Sequence, residues 1–278
     1  MKIKFQGLKI LKMAIVINPI SPVAFSVFGL PVRWYALAYI AAFVAGYFLI
    51  KYMMRSKTCA IKMSKKELDD LLTWVILGVI IGGRLGYVLF YNLSFFIAHP
   101  LEIFAVWHGG MSFHGGLAGV VIATFICGRT WSRGLRILDL VSVVAPIGLF
   151  FGRIANFINM ELMGRPTDSS IGVFFNGVSD VPRHASPIYE GMTEGLLLFV
   201  IMGILYRFTK LRKYPGALCG AMAMFYAVFR IFCEQFRMPD AQVGFLTSWG
   251  LTMGQLLSGI LFVCGAALFG MAITHHRD

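Results

Sequence analysis

Residues 71–91, which read LLTWVILGVIIGGRLGYVLFY, decide the fold. Arg84 is the only charged residue in this stretch, and a helix of about 20 apolar residues is long enough to cross the hydrocarbon core of a bilayer. A backbone in contact with lipid has to satisfy its own hydrogen bonds, which a helix does. The stretch is therefore predicted to be a transmembrane helix that carries a buried arginine.

The composition of the whole chain agrees with this prediction. The 278 residues are 58% hydrophobic and 14% charged, with a mean hydropathy of +0.75. Soluble domains carry about 25% charged residues, so a soluble fold of this composition would lack polar surface. We expect one polytopic membrane domain, residues 31–278, after an N-terminal segment, residues 1–30.

Six further apolar stretches are long enough, or nearly so, to cross a bilayer. They are residues 34–52, 111–127, 137–157, 187–206, 216–233 and 251–272. The predicted fold class is an all-α integral membrane protein, a bundle of about seven transmembrane helices. The long segment between the fourth and fifth spans is rich in Gly, Pro, Asp and Asn, and we expect it to form a small periplasmic element.

Lysine and arginine are distributed unevenly among the loops, which predicts the orientation. The loops after the first, third and fifth spans carry Lys51, Arg55, Lys57, Lys62, Lys65, Lys66, Arg129, Arg133, Arg136, Arg207, Lys210, Arg212 and Lys213. The other three loops carry only Arg165, Arg183 and Arg237. The C-terminus is therefore predicted to be cytoplasmic and the N-terminus periplasmic. The net charge of +12 comes largely from these loops, so we do not expect a nucleic-acid partner.

Two smaller features complete the compositional analysis. Four lysines among residues 1–12 oppose the predicted orientation, and we interpret these residues as an extension from an early start codon. The five cysteines are scattered, without metal-ligand spacing, so neither a disulfide framework nor a metal site is expected.

Several polar side chains lie within the predicted spans, where an ionisable group costs about 2.5–3.5 kcal/mol at the bilayer centre. They are Arg84, His114, Arg153, Asn156, Arg230 and Glu234, and Glu161 follows in the adjoining loop. The predicted orientation brings all of them to the outer half of the bilayer. Because the guanidinium fork matches phosphate, the group predicts a site for the phosphate of an anionic lipid. A histidine there could exchange protons near neutral pH.

Other interpretations of these residues remain open. Each arginine could extend to the lipid headgroups, Arg230 and Glu234 could form an i,i+4 ion pair, and the glycines of residues 109–119 could allow close helix packing. At the level of function, a transporter, a non-catalytic anionic-lipid-binding protein and an acyltransferase are the alternatives. The nearly uncharged inner halves of the spans disfavour a transport pathway.

Six sequence blocks resemble the prolipoprotein diacylglyceryl transferase family. They are RWYAL at 33–37, GGRLGY at 82–87, MSFHGGL at 111–117, GRIANFINMELMGR at 152–165, HASPIYE at 184–190 and FRIFCEQFRMPD at 229–240. Two departures occur. Ala155 stands where the family usually has glycine, and residues 184–187 read HASP where the family has His-Pro-Ser-Gln.

The resemblance implies a reaction and a location. Members of this family transfer the diacylglyceryl group of phosphatidylglycerol to the lipobox cysteine that follows the signal peptide of a prolipoprotein. A thioether forms, glycerol 1-phosphate leaves, and no cofactor or metal is implied. The expected location is the bacterial inner membrane, with the active site toward the periplasm, and a monomer is expected.

The resemblance also implies roles for individual residues. Arg153 and Arg230 are expected to bind the lipid phosphate and to stabilise its departure. His114 is the favoured proton acceptor for the thiol, although an arginine-assisted path without a histidine base remains open. Asn156 is expected to orient the headgroup or Arg153.

The remaining candidates have supporting roles. Glu161 and Glu234 are expected to orient arginines or to serve as alternative bases, and Tyr35 and Tyr226 to donate hydrogen bonds. Gly164 is expected to allow a tight turn. For Arg84, a third phosphate contact and a purely structural role remain equally open.

Overall fold

The computed structural model describes residues 15–239, 244–247 and 250–274, and most of them are helical. In chain order the elements are β1 (Ile15–Ile17), β2 (Val23–Val27), β3 (Leu30–Arg33), α1 (Trp34–Arg55), α2 (Lys65–Phe90), α3 (Leu93–Ala98), α4 (Phe113–Gly128), α5 (Trp131–Ile158), β4 (Val173–Phe175), α6 (Ser186–Phe208), α7 (Ala217–Cys233) and α8 (Met253–Thr274). Within α6, Gly191–Leu197 forms a π-helical segment. The predicted extension at residues 1–12 lies outside the described residues.

Each of the seven predicted stretches is a helix in the structure. Among the described residues, five helices, namely α1, α2, α5, α6 and α8, are long and apolar enough to cross a membrane. The other two, α4 with 16 residues and α7 with 17, are shorter. The structure thus confirms a mostly helical chain with several apolar helices, whereas the number of spans and the orientation stay predictions.

The predicted boundaries are least accurate where a helix begins with charged residues. Helix α2 begins at Lys65, six residues before the predicted span, and α5 begins at Trp131. In α2, Ser64 forms a capping box, because its hydroxyl accepts from the Glu67 amide (3.2 Å) and the Glu67 carboxylate accepts from the Ser64 amide (2.8 Å). Such polar first turns extend each helix beyond the apolar run that hydropathy detects.

Helices α2 and α4 are packed backbone against backbone. A Cβ on Gly82 would lie 2.3 Å from the Gly115 carbonyl oxygen, and one on Gly78 would lie 2.5 Å from that of Gly119. Neither position therefore tolerates a side chain. Close packing is the role of these α4 glycines in the structure, as is common between membrane helices.

Within the ranges that the structure describes, four short strands are added to the predicted all-α architecture. Strands β2 and β3 form an antiparallel hairpin just before α1, and β1 pairs in parallel with β4, with Ile15 opposite Val173. The second pairing ties the N-terminal segment to the element between α5 and α6. Strands of three residues are too short to show an alternating pattern, so the sequence did not reveal them.

The element between α5 and α6 has a small core of its own. Met160, Val173, Phe175 and Ala185 are buried there, and Phe157 at the end of α5 packs against them. Because this core is anchored on α5, residues 159–185 are held over one end of the helical bundle, where the candidate site is found.

Candidate functional site

Arg153 and Arg230, which come from α5 and α7, meet at one carboxylate. The Glu190 Oε2 atom lies 2.9 Å from Arg153 Nη2 and 3.2 Å from Arg230 Nη1. The two guanidinium groups that the sequence assigned to one anion site are therefore neighbours in the structure.

A second carboxylate, that of Glu194, bridges the same two arginines. Its Oε2 atom lies 3.4 Å from Arg153 Nη2, and its Oε1 atom lies 3.6 Å from Arg230 Nη1. Glu190 and Glu194 are four residues apart on α6, and both are fully buried. Glu194 belongs to the π-helical segment, a distortion that is frequent at functional sites.

Two further residues near the end of α7 complete this group. Arg230 Nη2 pairs directly with Glu234, and Arg237 Nη1 lies 3.4 Å from Glu190 Oε1. We call Arg153, Arg230, Arg237, Glu190, Glu194 and Glu234 the arginine–glutamate cluster. Three arginines face three glutamates, so the formal charges balance, as buried charges require. The i,i+4 ion pair considered from the sequence is present, but it is one contact of a larger network.

The arginines are the accessible part of the cluster. The side chains of Arg153 and Arg230 are 18% and 12% exposed, whereas those of Glu190 and Glu194 are fully buried. Among the described residues, Arg230 Nη1 and Glu194 Oε1 are buried atoms without a well-aligned hydrogen-bond partner. These two atoms lie 3.6 Å from each other, so charge attraction and not an aligned hydrogen bond holds them together.

Tyr35, Asn156, Asn159 and Glu161 form a second group, which begins one helical turn beyond Arg153. The Tyr35 hydroxyl donates to Glu161 Oε2 (2.6 Å), and Asn156 Nδ2 donates to the Tyr35 hydroxyl oxygen. Asn156 and Asn159 also donate to Glu161, at 3.4 and 3.5 Å. We call these four residues the tyrosine–glutamate group. It joins the first turn of α1 to the end of α5.

Tyr226 lies one turn before Arg230 on α7, and it is partly buried. It interacts electrostatically with Arg153, Arg230, Glu190 and Glu194. The structure therefore brings this predicted hydrogen-bond donor to the arginine–glutamate cluster.

Arg84 has a different environment, made of backbone carbonyls. Its guanidinium donates to the carbonyl oxygens of five residues, and its plane lies over the Phe96 ring, 5.1 Å from the ring centroid. The acceptors are Glu102, Ile103, Ala105, Gly109 and Gly110. Arginine has five N–H donors, and this arrangement engages the whole guanidinium. Of the two roles left open by the sequence, the geometry favours the structural one.

His114 is exposed in the first turn of α4, with an edge-to-face ring contact to Phe113. Within the described part of the chain, no hydrogen bond or ion pair joins it to the arginine–glutamate cluster. The structure thus gathers Arg153, Arg230, Glu234 and Tyr226, and leaves His114 outside that network.

Gly164 is required for a close approach rather than for an unusual backbone angle. Its amide donates to the His184 carbonyl (2.9 Å), and a Cβ at this position would lie 2.5 Å from the Phe236 carbonyl oxygen. Gly164 itself has no positive φ, whereas Met160, Leu162 and Gly177 of the same loop do. The prediction of a tight turn at Gly164 is therefore replaced by a tight contact between three chain segments.

Sequence reasoning missed Glu190, Glu194 and Arg237 as members of the site. A signal was available, since Glu190 and Glu194 are carboxylates at i,i+4 at the start of an apolar run, where unpaired charge is disfavoured. In the described ranges, no three His, Cys, Asp or Glu side chains are arranged to hold a metal ion.

Comparisons with known proteins agree on one family. The family model described as prolipoprotein diacylglyceryl transferase matches residues 22–271. Three curated relatives carry the name phosphatidylglycerol–prolipoprotein diacylglyceryl transferase. The protein of Rhodospirillum rubrum is 48% identical (91% of this chain, 92% of the relative), that of Methylocella silvestris 48% (93% and 95%), and that of Azospirillum brasilense 49% (94% and 97%).

Proposed function

This chain belongs to the prolipoprotein diacylglyceryl transferase family, and on that premise we propose that it transfers the diacylglyceryl group of phosphatidylglycerol to the lipobox cysteine of prolipoproteins. The sulfur–carbon bond of a thioether forms, the carbon–oxygen bond to the phosphate breaks, and glycerol 1-phosphate leaves with the bonding electrons. The reaction is the first step of bacterial lipoprotein maturation. It needs no cofactor in this scheme.

The observation that carries this proposal is the meeting of Arg153 and Arg230. Two guanidinium groups that share one carboxylate oxygen, and that are themselves partly exposed, can turn their remaining donors toward a phosphate. Negative charge develops on the phosphate oxygen as the carbon–oxygen bond breaks. Cations that are already in place stabilise that charge without reorganisation.

The buried glutamates support this role in two ways. Glu190 and Glu194 fix the two guanidinium groups in one orientation, so that less order has to be gained when lipid binds. They also keep the cluster close to neutral before the lipid arrives, which makes several buried cations tolerable in an apolar environment.

The thiol has to lose a proton before it attacks, because the thiolate is the nucleophile. His114 is our proposed acceptor, since its imidazole is exposed at the start of α4 and free of ion pairs within the described residues. Glu161 is the alternative base, although its oxygens already accept from Tyr35, Asn156 and Asn159. An arginine-assisted path without a histidine base is the second alternative.

A substitution at His114 separates these paths. We expect His114→Asn to reduce transfer most at the acidic end of the range from pH 6 to 9, where the fewest thiols are ionised without a base. Turnover equal to that of the wild type across this range would exclude His114 as the base.

The proposed topology has seven spans, with the site at the periplasmic end of the bundle. The first residues of α1, α6 and α8 and the last turns of α5 and α7 all contribute to the site. The basic loops therefore lie at the opposite end, where positive charge marks the cytoplasmic side. The inner membrane is accordingly the proposed location. We expect a monomer, with phosphatidylglycerol and the signal peptide of the prolipoprotein as partners.

One assay tests the proposed function directly. Purified protein is added to phosphatidylglycerol vesicles with a lipobox peptide, and the thioether product is measured by mass spectrometry. We expect product with this peptide and none with a Ser-for-Cys peptide or with phosphatidylcholine vesicles. Phosphatidylglycerol binding without product would instead indicate a non-catalytic lipid-binding protein.

A further inference from the structure

We propose that the first turn of the last helix, at Thr252 and Gly254, positions Glu234 and through it the phosphate-binding Arg230. Both are assigned as positioning residues, since neither touches the reacting atoms. The inference rests on the proposed function and adds α8 to the elements that set the geometry of the site.

Both carboxylate oxygens of Glu234 are engaged, and by different helices. Oε1 pairs with Arg230 Nη2 on α7, and Oε2 accepts a hydrogen bond from the Thr252 hydroxyl at 3.0 Å. The Glu234 side chain is almost completely buried. Its position is therefore fixed from one side by Arg230 and from the other by the start of α8.

Thr252 can hold Glu234 because its own hydrogen bonds leave the hydroxyl proton free. The Thr252 hydroxyl oxygen accepts from the Gln255 amide (3.2 Å), and the Gln255 side chain accepts from the Thr252 amide (3.1 Å), which is a capping box. A hydroxyl donates one hydrogen bond and accepts up to two. The single donor of Thr252 is thus directed at Glu234.

Gly254 provides the space in which the Glu234 carboxylate lies. A Cβ at this position would be 2.2 Å from Glu234 Oε1, 2.7 Å from Glu234 Cδ and 3.4 Å from Arg230 Nη2. No real Cβ approaches a carboxylate this closely. Since Gly254 lies in a helix without positive φ, glycine is needed here for space and not for its backbone freedom.

Helix α8 is packed backbone against backbone on α7, and this packing stabilises the position of Gly254 beside Glu234. A Cβ on Gly220 would lie 2.7 Å from the Gly265 carbonyl oxygen. This contact holds the middle of α8 against α7, so α8 as a whole cannot shift away from Glu234 without opening it. We therefore expect a methyl group at residue 254 to displace the end of the Glu234 side chain, and with it the guanidinium of Arg230.

Two glycines of the same helix provide a matched test. Gly254→Ala places a methyl group against Glu234, whereas a Cβ on Gly259 meets no atom within 4 Å. We expect Gly254→Ala to lower kcat/KM for phosphatidylglycerol about tenfold or more, because small displacements of catalytic groups reduce rates strongly. The apparent KM for the lipobox peptide should be unchanged. Gly259→Ala should remain within about twofold of the wild type, since Ala is the better helix former.

A second substitution shows whether the effect passes through Glu234. Glu234→Asp withdraws the carboxylate by one methylene and makes room for the new methyl group. In the Glu234→Asp background, Gly254→Ala should therefore cost less than about twofold, an interaction of the kind that a double-mutant cycle measures. This double variant also decides the matter if Gly254→Ala alone does not fold.

The test of Thr252 separates two functions of its side chain. One is to accept the hydrogen bond that caps α8, and the other is to donate a hydrogen bond to Glu234. Thr252→Asp keeps a good N-cap acceptor but cannot donate to Glu234, whereas Thr252→Ser keeps both functions. We expect Thr252→Asp to lower kcat/KM for phosphatidylglycerol and Thr252→Ser to retain it.

The outcomes distinguish this inference from the proposed function. If the wild type forms no thioether, the proposed function fails. If the wild type is active and Gly254→Ala behaves like Gly259→Ala, or costs the same in the Glu234→Asp background, the positioning role is overturned. A Gly254→Ala protein that stays unfolded in that background would overturn it as well.

Discussion

Two buried arginine environments of the same bundle differ in what surrounds them. Arg84 donates to five backbone carbonyls and meets no carboxylate among its described contacts. Arg153 instead faces Glu190 and Glu194, and it shares both with Arg230.

The difference separates an arginine whose donors are all used by backbone carbonyls from arginines that share carboxylates. All the N–H groups of the Arg84 guanidinium face peptide carbonyls of residues 102–110, and these hydrogen bonds hold that segment against α2. A phosphate would therefore find no free donor on Arg84. The shared carboxylates around Arg153 and Arg230 leave Arg230 Nη1 without an aligned acceptor. In the proposed site, an added anion would meet the exposed part of these two guanidinium groups, since the side chains of Arg153 and Arg230 are 18% and 12% exposed.

The largest expected effect comes from Glu190, which pairs with three arginines, whereas Glu194 pairs with two. Glu190→Gln should lower the free energy of unfolding by about 3–5 kcal/mol, the usual result of removing one member of a buried ion pair. Glu194→Gln should lower the free energy of unfolding by a smaller amount. Thermal unfolding of the wild type and both variants in detergent measures the two losses of stability. An equal loss would mean that the charges of the cluster are not shared as the distances indicate.

The next effect is on catalysis. Arg153→Lys retains the charge but loses the planar fork, so transfer should fall about 100-fold while the protein stays folded. Initial rates in phosphatidylglycerol vesicles and an unfolding curve check the two halves of this prediction. Full activity of both Arg153→Lys and Arg153→Ala would remove the phosphate-binding role.

The matching substitution in the other environment should have the reverse profile. Arg84→Lys leaves several carbonyls between α2 and α4 unpaired, and we expect it to lower stability by about 1–3 kcal/mol. The apparent KM of the folded fraction for phosphatidylglycerol should not change. A raised KM with unchanged stability would revive Arg84 as a phosphate contact.

The smallest expected effect is a pH dependence at His184, in the element between α5 and α6. Burial lowers the pKa of His184, whose ring lies edge-on to Tyr189 and Phe236. The unfolded chain therefore binds this proton more readily, and stability falls as pH drops through about 6.5. His184→Phe should make Tm depend less on pH between pH 7 and pH 5. The fall in Tm over this range should become smaller by less than about 2 °C. An unchanged slope would show that other groups cause the loss.

The glycines show where sequence reasoning was limited. The glycines of residues 109–119 left close helix packing as one open interpretation, and only the structure, through the contacts of Gly115 with Gly82 and of Gly119 with Gly78, shows that they pack against α2. Gly254 carried no signal at all, because the carboxylate that it accommodates is twenty residues away in the chain. The strands β1 and β4 were likewise missed, since a three-residue pairing depends on a partner that is remote in sequence.

The sequence by itself determined the membrane class, the seven apolar helices and the family, because hydropathy and motif blocks are local properties of the chain. It also placed Arg153 and Arg230 in one site. Only the tertiary structure decided that those arginines share Glu190 and Glu194. It also decided that Arg84 donates all its hydrogen bonds to backbone carbonyls, and that Gly254 leaves the space for Glu234. Those outcomes depend on distances between helices, and such distances follow from packing and not from any one segment.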